Sequence, residues 1–322
     1  MSAEAAAGAD ARDMGTAGLA GRAVLEISVV RSLSGRSNAR GLLRFAAHLG
    51  TMTATGLLVW VALPYWYLLI PAMVLHGFTL VTMFAPMHEC VHKTAFATSS
   101  WNEFFGWIAG LLSFYNFTYY RYYHTWHHRY TQDPEKDPEL QDPKPHSLWD
   151  YAVEISGVRF WLLRPWNFLL MATGRTTHLP YVPPKARWRI AASAAAQLGV
   201  YLVGLVSIAL GYTFFLYWFF LPALLAQPLL RAILLVEHTG CSSDENGLTN
   251  TRTTLTMYPV RLLMWNMPYH TEHHLYPSIP FHRLPEAHAH LKARLAHLSP
   301  SYVAANREVI QSFQPAPTKA PA

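Results

Sequence analysis

Two stretches of this chain carry no Asp, Glu, Lys or Arg: Phe45 to Met87 and Ile190 to Leu230, each about forty residues long. A helix needs about 20 residues to cross the hydrocarbon core of a bilayer, so each stretch can cross twice. Each also holds a turn signal near its middle. Pro64-Tyr65-Trp66-Tyr67 divides the first, with aromatics suited to a membrane interface, and Gly211-Tyr212 divides the second. The pattern predicts four spans, over residues 45–63, 67–87, 190–210 and 213–235. Pro71 falls in the first turn of the second, where it is tolerated.

The remaining segments read as shorter elements on an all-α, four-helix transmembrane bundle with a helical cap. Residues 1–40 are Ala- and Gly-rich with scattered charge. They lack the continuous apolar segment of a secretory signal and read as a flexible tail, with a short interfacial helix over Ala23–Leu33. The membrane domain is expected over 41–298 and a C-terminal tail over 299–322, its Pro- and Ala-rich end, Gln314–Ala322, disordered. Phe104 to Phe117 is too short for an ordinary span and is expected to be re-entrant or interfacial. Phe160 to Met171, interrupted by Arg164-Pro165, is expected to lie in the interface. Met257–Met267 is also of interfacial length, and Pro285–Leu298 reads as an amphipathic surface helix.

Composition agrees with a polytopic membrane protein: 52% of residues are hydrophobic and only 14% charged, against roughly 25% charged in a soluble domain. The net charge of +6 admits nucleic-acid binding in principle. The bases, however, flank apolar spans; Arg31, Arg36, Arg40 and Arg44 lead into the first. Neither short connection between paired spans is charged, so the positive-inside bias places both termini and the long middle segment in the cytoplasm. Cys90 and Cys241 are no disulfide framework and read as small packing residues in a reducing compartment.

The candidate chemistry lies in three histidine clusters. His88 and His92 are spaced i, i+4; His124, His127 and His128 are spaced i, i+3, i+4, and His270, His273 and His274 repeat that spacing. On helices each cluster occupies one face, and in the topology above all three fall at cytoplasmic ends of spans. Imidazole suits Zn, Cu, Fe and Ni, and a single zinc takes four ligands. Eight imidazoles therefore point to two ions. The Glu and Glu-x-x-His pattern of soluble di-iron bundles is absent. A histidine-rich metal transporter or sensor is the alternative class, but transporters place ligands near the bilayer midplane in broken helices, whereas these clusters flank the spans.

The three boxes, their order and their placement around four spans resemble the membrane fatty acid desaturase and hydroxylase superfamily over about residues 40–295. His127-His128-Arg129-Tyr130-Thr131 leading to Asp133-Pro134 and Asp137-Pro138 supports the likeness. So do Asn266-Met267-Pro268-Tyr269 before the third box and Leu275-Tyr276-Pro277-Ser278-Ile279-Pro280 after it. The resemblance implies two iron ions in a non-haem di-iron centre that activates O2 and removes hydrogen from an unactivated C–H bond. The expected reaction is insertion of a double bond into an acyl chain. A hydroxylase or carotenoid ketolase of the same superfamily is the runner-up, because desaturation and hydroxylation share the first hydrogen abstraction. With no His-Pro-Gly-Gly haem signature in the sequence, a separate electron donor is implied, of ferredoxin or cytochrome b5 type with a reductase. The third box opens on His270, where cytochrome b5-fused front-end desaturases commonly have Gln. The 237–254 region, with Asn250-Thr251-Arg252-Thr253-Thr254, resembles a bacterial subgroup that includes dihydrorhizobitoxine desaturase. A bacterial inner membrane is the implied location.

Carried over residue by residue, the resemblance makes ligands of His88, His92, His124, His127, His128, His270, His273 and His274. His238, shortly after the last span, matches a further family ligand; otherwise it is a polar residue closing the span. Asn266 stands one turn before His270 as a water-mediated or supporting partner, or as a helix-cap amide. Metal-bound imidazoles usually give their second N–H to a carboxylate or carbonyl, which makes Asp133, Asp137, Glu89, Glu237 and Glu272 candidates. Arg121 and Arg129 are expected on lipid phosphate or carboxylates. His48 and His76, inside spans, are expected to be neutral and bonded to neighbouring carbonyls, and Trp107, Trp161 and Trp166 to sit at the interface or line an acyl tunnel.

Overall fold

A computed structural model of the chain describes residues 24–142 and 144–313. In chain order its helices are α1 (Ile27–Leu33), α2 (Asn38–Ala62), α3 (Trp66–Val81), α4 (Phe84–Val91), α5 (Ser99–Leu112) and α6 (Phe117–Arg129). There follow α7 (Leu148–Ser156), α8 (Val158–Ala172), α9 (Arg187–Ala209), α10 (Leu221–Leu235), α11 (Tyr258–Leu263), α12 (His270–Leu275), α13 (Leu284–Leu291) and α14 (Tyr302–Gln311). The strands among the described residues are two short ones, β1 (Thr253–Thr254) and β2 (Leu298–Ser299), paired in parallel with Thr253 opposite Leu298.

Among the described residues, four helical segments are long and apolar enough to cross a membrane: Asn38–Ala62, Trp66–Val91, Pro184–Ala209 and Leu216–Leu235. They overlap the four predicted spans, with starts at Asn38 and Pro184 where residues 45 and 190 are predicted and the other ends closer. Three run further than predicted, each at the end nearer the histidines, because backbone hydrogen bonding continues past the apolar stretch. In the first, the Ser37 hydroxyl accepts from the Arg40 N–H and extends the helix beyond Arg44. Large apolar side chains such as Leu57, Val61, Leu202, Val203 and Phe214 point outward from the bundle, as lipid contact requires.

The spans are held by small residues and internal polar bonds. At Gly77 on α3 an added Cβ would fall 1.9 Å from the Pro222 carbonyl oxygen on α10, a backbone approach only glycine permits. His48 Nε2 donates to the Thr79 carbonyl at 2.8 Å, and His76 Nε2 to the Trp218 carbonyl at 3.1 Å. Both intramembrane histidines are therefore inter-helix ties, as expected. The second span bends between α3 and α4, where the Thr82 hydroxyl donates to the carbonyls of Phe78 (2.6 Å) and Thr79 (3.3 Å). Such back-bonding bends helices, and here it redirects α4 before the first histidine box. The fourth span begins with a π-helical turn, Leu216–Phe220.

The expected re-entrant segment is the α5–α6 hairpin. Gly106 and Gly110 of α5 lie against Phe117 at the start of α6, and a Cβ on Gly110 would be 2.7 Å from the Tyr115 carbonyl oxygen. The chain thus doubles back on itself, and His124 meets His88, their ring centres 4.1 Å apart. The segment around Arg164-Pro165 is one continuous helix, α8, with Pro165 inside it.

Two segments differ from the sequence reading. Residues 302–311, expected within the C-terminal tail, form α14: the Ser301 hydroxyl accepts from the Ala304 N–H, and Ala305 and Val309 bury against Val236. Asn306 ties this helix to the fourth span through the Ala232 carbonyl. The amphipathic helix expected over Pro285–Leu298 stops as α13 at Leu291, leaving Leu298 free to pair in β2. Near the other end, α1 occupies most of the segment expected as an interfacial helix, and Leu33 buries beside Tyr269, Tyr276 and Leu284. Most of the expected N-terminal tail and the Gln314–Ala322 end lie outside the described residues.

Candidate metal centre

The bend at Thr82 and the α5–α6 hairpin bring three distant histidine boxes to one point. His88, on α4, and His92, at its C-terminal cap, face His124 and His128 on α6 and His273 on α12. One ring nitrogen from each of these five lies within 4.8 Å of the others. His127, His238 and His274 form a second such group. His270 joins it: its Nε2 is 3.2 Å from His238 Nε2, and its ring centre is 4.5 Å from that of His274. The groups adjoin, with the His128 and His274 rings stacked 4.0 Å apart. His92 and His128 are half-buried and the other seven are buried.

The rings are oriented from outside. Asp137 Oδ1 accepts from His127 Nδ1 at 2.9 Å, and the Asn250 carbonyl accepts from His238 Nδ1 at 3.2 Å. Tyr120 Oη lies 3.2 Å from His124 Nδ1, and Thr131 Oγ1 3.3 Å from His274 Nδ1. In these four rings Nδ1 is engaged outward and Nε2 is turned inward, the arrangement that fixes a metal-binding tautomer. Several buried ring nitrogens of the two groups have no hydrogen-bond partner: both nitrogens of His88 and of His273, Nε2 of His92 and His274, and Nδ1 of His128 and His270. A buried polar atom left unpaired costs about 1–3 kcal/mol, so a cluster of them is not retained for stability. The donor set fits metal ions with nitrogen-rich coordination.

Charge state agrees. Burial is the largest effect on His124, His128, His238, His270, His273 and His274 and holds each well below the usual histidine value, with neighbouring histidines adding to it. His92 is pushed down to about 3 by burial. These rings are neutral at physiological pH, as ligands must be. His127 differs. Burial pulls it down, but the Glu139 and Asp137 carboxylates outweigh burial and leave it raised.

The supporting residues named from sequence divide. Asp137 reaches a box histidine, and Glu237 Oε2 lies 3.5 Å from His270 Nε2; burial and then Glu139 push the Glu237 carboxyl well above its usual range. Asp133 is occupied by Lys136 and the Glu135 N–H. Asn266 donates to the Phe281 carbonyl at 2.9 Å and sits at φ +60°, so its amide fixes the turn ahead of α12. The box glutamates are buried and tie segments together. Glu89 accepts from the Phe281 N–H, and Glu272 accepts from the Thr253 hydroxyl and contacts His288 Nδ1. Arg121 pairs with Glu103 at 2.7 Å, and Arg129 lies over the Tyr130 ring. Cys90 and Cys241 are free, and neither belongs to the two histidine groups.

A profile of the fatty acid desaturase family matches residues 58–306, most of the chain and all nine histidines. The chain belongs to the fatty acid desaturase family. Similar curated members include an sn-1 oleoyl-lipid 12-desaturase of Picosynechococcus sp., 34% identical over 149 residues, which are 44% of this chain and 40% of that protein. A sphingolipid delta(4)-desaturase/C4-monooxygenase of Rattus norvegicus is 28% identical over 71% of this chain and 65% of its own length. Dihydrorhizobitoxine desaturase of Bradyrhizobium elkanii is 28% identical over 62% of this chain and 61% of its own. The chain thus spans less than two thirds of each of these relatives.

Within this desaturase-family centre, sequence reasoning passed over four groups. Glu139 Oε2 is 3.7 Å from His127 Nε2, and Tyr120, Thr131 and Asn250 orient rings as described. Signals existed for two: Tyr120 precedes His124 by one helical turn, and Glu139 follows Asp137 by two residues. The tryptophans have structural surroundings. Trp107 Nε1 donates to Ser193, Trp161 packs on Phe114 and Phe160, and Trp166 is exposed.

Proposed function

We propose that this chain is a membrane-bound, O2-dependent lipid desaturase that introduces a double bond into an acyl chain. Two iron ions would be held by His88, His92, His124, His128 and His273 on one side and by His127, His238, His270 and His274 on the other. The observation that carries this reading is the convergence of nine imidazoles in two adjoining groups, whose facing nitrogens meet only one another or have no hydrogen-bond partner. The irons, when bound, would supply oxidation of an unactivated C–H bond with O2 and electrons from a separate ferredoxin- or cytochrome b5-type donor. The chain's own residues hold the site. Asp137 keeps His127 in one tautomer, Asn250 does the same for His238, and burial keeps water from the rings. The positive-inside bias supports a cytoplasmic centre with both termini on that side, and the family resemblance supports a bacterial inner membrane.

Hydroxylation is the second reading, favoured by the combined desaturase/C4-monooxygenase name of the rat relative. Expression in a heterologous host, with iron quantified in the purified protein and host lipids profiled by mass spectrometry, tests both. The desaturase reading expects two irons per chain and a product lighter by two hydrogens; a product heavier by one oxygen replaces it with the hydroxylase. His127→Ala should abolish product while the protein remains in the membrane. Product at wild-type level from that variant removes His127 from the ligand set.

A further inference from the structure

Beside the histidines lies a cavity of about 290 Å³. On the metal side its wall includes Phe84, next to the His88 ring, Tyr120, next to His124, and Glu139, next to His127. The cavity is also lined by Lys144 and by two arginines, Arg164 of α8 and Arg231 of α10, which share one aromatic support. The Arg164 guanidinium carbon is 4.1 Å from the centre of the Phe160 ring and 4.4 Å from that of Tyr115; that of Arg231 is 5.1 Å from Phe160. Arg231 is partly compensated, with Glu154 at 3.9 Å and the Tyr115 oxygen accepting from its Nη2.

Arg164 is not. Among the described residues it forms no hydrogen bond and no ion pair, and its Nε is fully shielded from solvent and unpartnered. The other carboxylates on the cavity wall are engaged or distant: Glu154 faces Arg231, Glu139 faces His127, and Asp142 is exposed at the rim. Burial holds the Arg164 guanidinium below the usual arginine value, and the Arg231 charge works in the same direction. Arg164 is half-buried, and a partly desolvated cation without a counter-charge is costly, while guanidinium geometry matches carboxylate and phosphate. Stacking on Tyr115 and Phe160 leaves the edge of the Arg164 fork as its hydrogen-bonding surface.

We propose that Arg164, backed by Arg231, binds the anionic group of an amphiphilic substrate, a carboxylate or a phosphate, and so selects anionic over neutral lipids. This rests on the desaturase reading of the adjoining centre and names the substrate class for it. The apolar part of the substrate would lie along Phe84, Leu234 and Leu235, which line the same cavity. Arg164 then fixes the distance between the charged end of the substrate and the carbon presented to the histidine centre.

The test is direct binding by calorimetry to the iron-loaded full chain in nanodiscs, using octanoate, octyl phosphate and 1-octanol, with empty nanodiscs subtracted. Wild-type protein should bind at least one anionic probe ten-fold or more tightly than octanol, and the better of the two tells carboxylate from phosphate. Arg164→Gln should erase that preference and leave octanol binding unchanged, and Arg164→Lys should keep part of it. Equal binding of all three probes by wild type overturns the proposal whether or not the Gln variant folds. So does an undiminished preference in a folded Arg164→Gln protein. Iron content and turnover are read on the same preparations. Intact turnover without anion preference overturns this proposal alone, whereas absent iron and turnover overturn the desaturase reading while the binding data still judge Arg164.

Discussion

The Asp137→Asn variant isolates how one ring is oriented. Asp137 Oδ1 accepts from His127 Nδ1 at 2.9 Å and from the Glu139 N–H at 2.9 Å, and Oδ2 accepts from the Gln132 N–H at 2.8 Å. The carboxylate is buried, so all three donors depend on it. Asparagine has nearly the same shape but only one acceptor atom. Whichever way its amide turns, an NH2 faces at least one N–H donor. If NH2 meets the Gln132 N–H, a buried donor is left unpaired at about 1–3 kcal/mol. If it meets His127, the ring is driven to carry its proton on Nε2, and the inward nitrogen can no longer bind metal. Loss of a charge-assisted bond alone is worth about 1.5–3 kcal/mol, which corresponds to roughly 10- to 150-fold in affinity at 1.4 kcal/mol per decade. That agrees with the 10- to 100-fold typical when the partner of a ligating histidine is removed. The assay is iron per chain during titration with a competing chelator. One of two irons should be released at ten-fold or more lower chelator, while the helical circular dichroism stays unchanged. Two irons held at wild-type affinity in Asp137→Asn would refute the reasoning.

Three further outcomes follow from the packing. Gly77→Val would push a side chain into the Pro222 backbone and should cost at least about 1–3 kcal/mol as overpacking, read as a lower thermal unfolding midpoint. Gly50→Ala, where nothing lies within 4 Å of the added carbon, should not lower it, and equal midpoints for both variants would contradict the close α3–α10 contact. Thr253→Val removes the hydroxyl that donates to Glu272 at 2.6 Å and accepts from the Thr271 N–H. It should destabilise by about 1–3 kcal/mol and lower iron retention, whereas wild-type values for both would dissociate β1 from the third box. Stripping iron with a chelator should raise amide hydrogen exchange in α12 and leave the cores of the four spans protected; unchanged exchange in α12 would mean that metal does not hold it.

The spans were legible because charge is missing altogether from Phe45 to Met87 and from Ile190 to Leu230, which gives their number without tertiary information. The i, i+3, i+4 spacing likewise made the three boxes visible as helix faces. Which nitrogens meet was not legible. The five-and-four partition depends on the Thr82 bend and the α5–α6 return, and neither leaves a periodicity in the sequence. Glu139 stands two residues after Asp137, but it is the short turn at Asp137-Pro138 that carries it back toward His127, and that direction is not visible in the spacing. Asn266 was placed correctly in sequence, one turn ahead of His270, but its positive φ aims the amide at the Phe281 carbonyl. The α14 helix escaped notice because its apolar face is narrow; Ala305 and Val309 become meaningful only against Val236.

The third box occupies a six-residue helix, and every residue of α12 is buried. A helix so short has no independent stability, and it lies beyond the last span in the chain. When the fourth hydrophobic segment has just been synthesised, His270, His273 and His274 have not yet been made, so both histidine groups are still incomplete. On the di-iron reading, the spans would therefore insert as a metal-free polypeptide, and iron would enter only after the third box is in place. A cell starved of iron would accumulate this protein correctly threaded through its membrane yet inert, a pool ready to be activated without new synthesis.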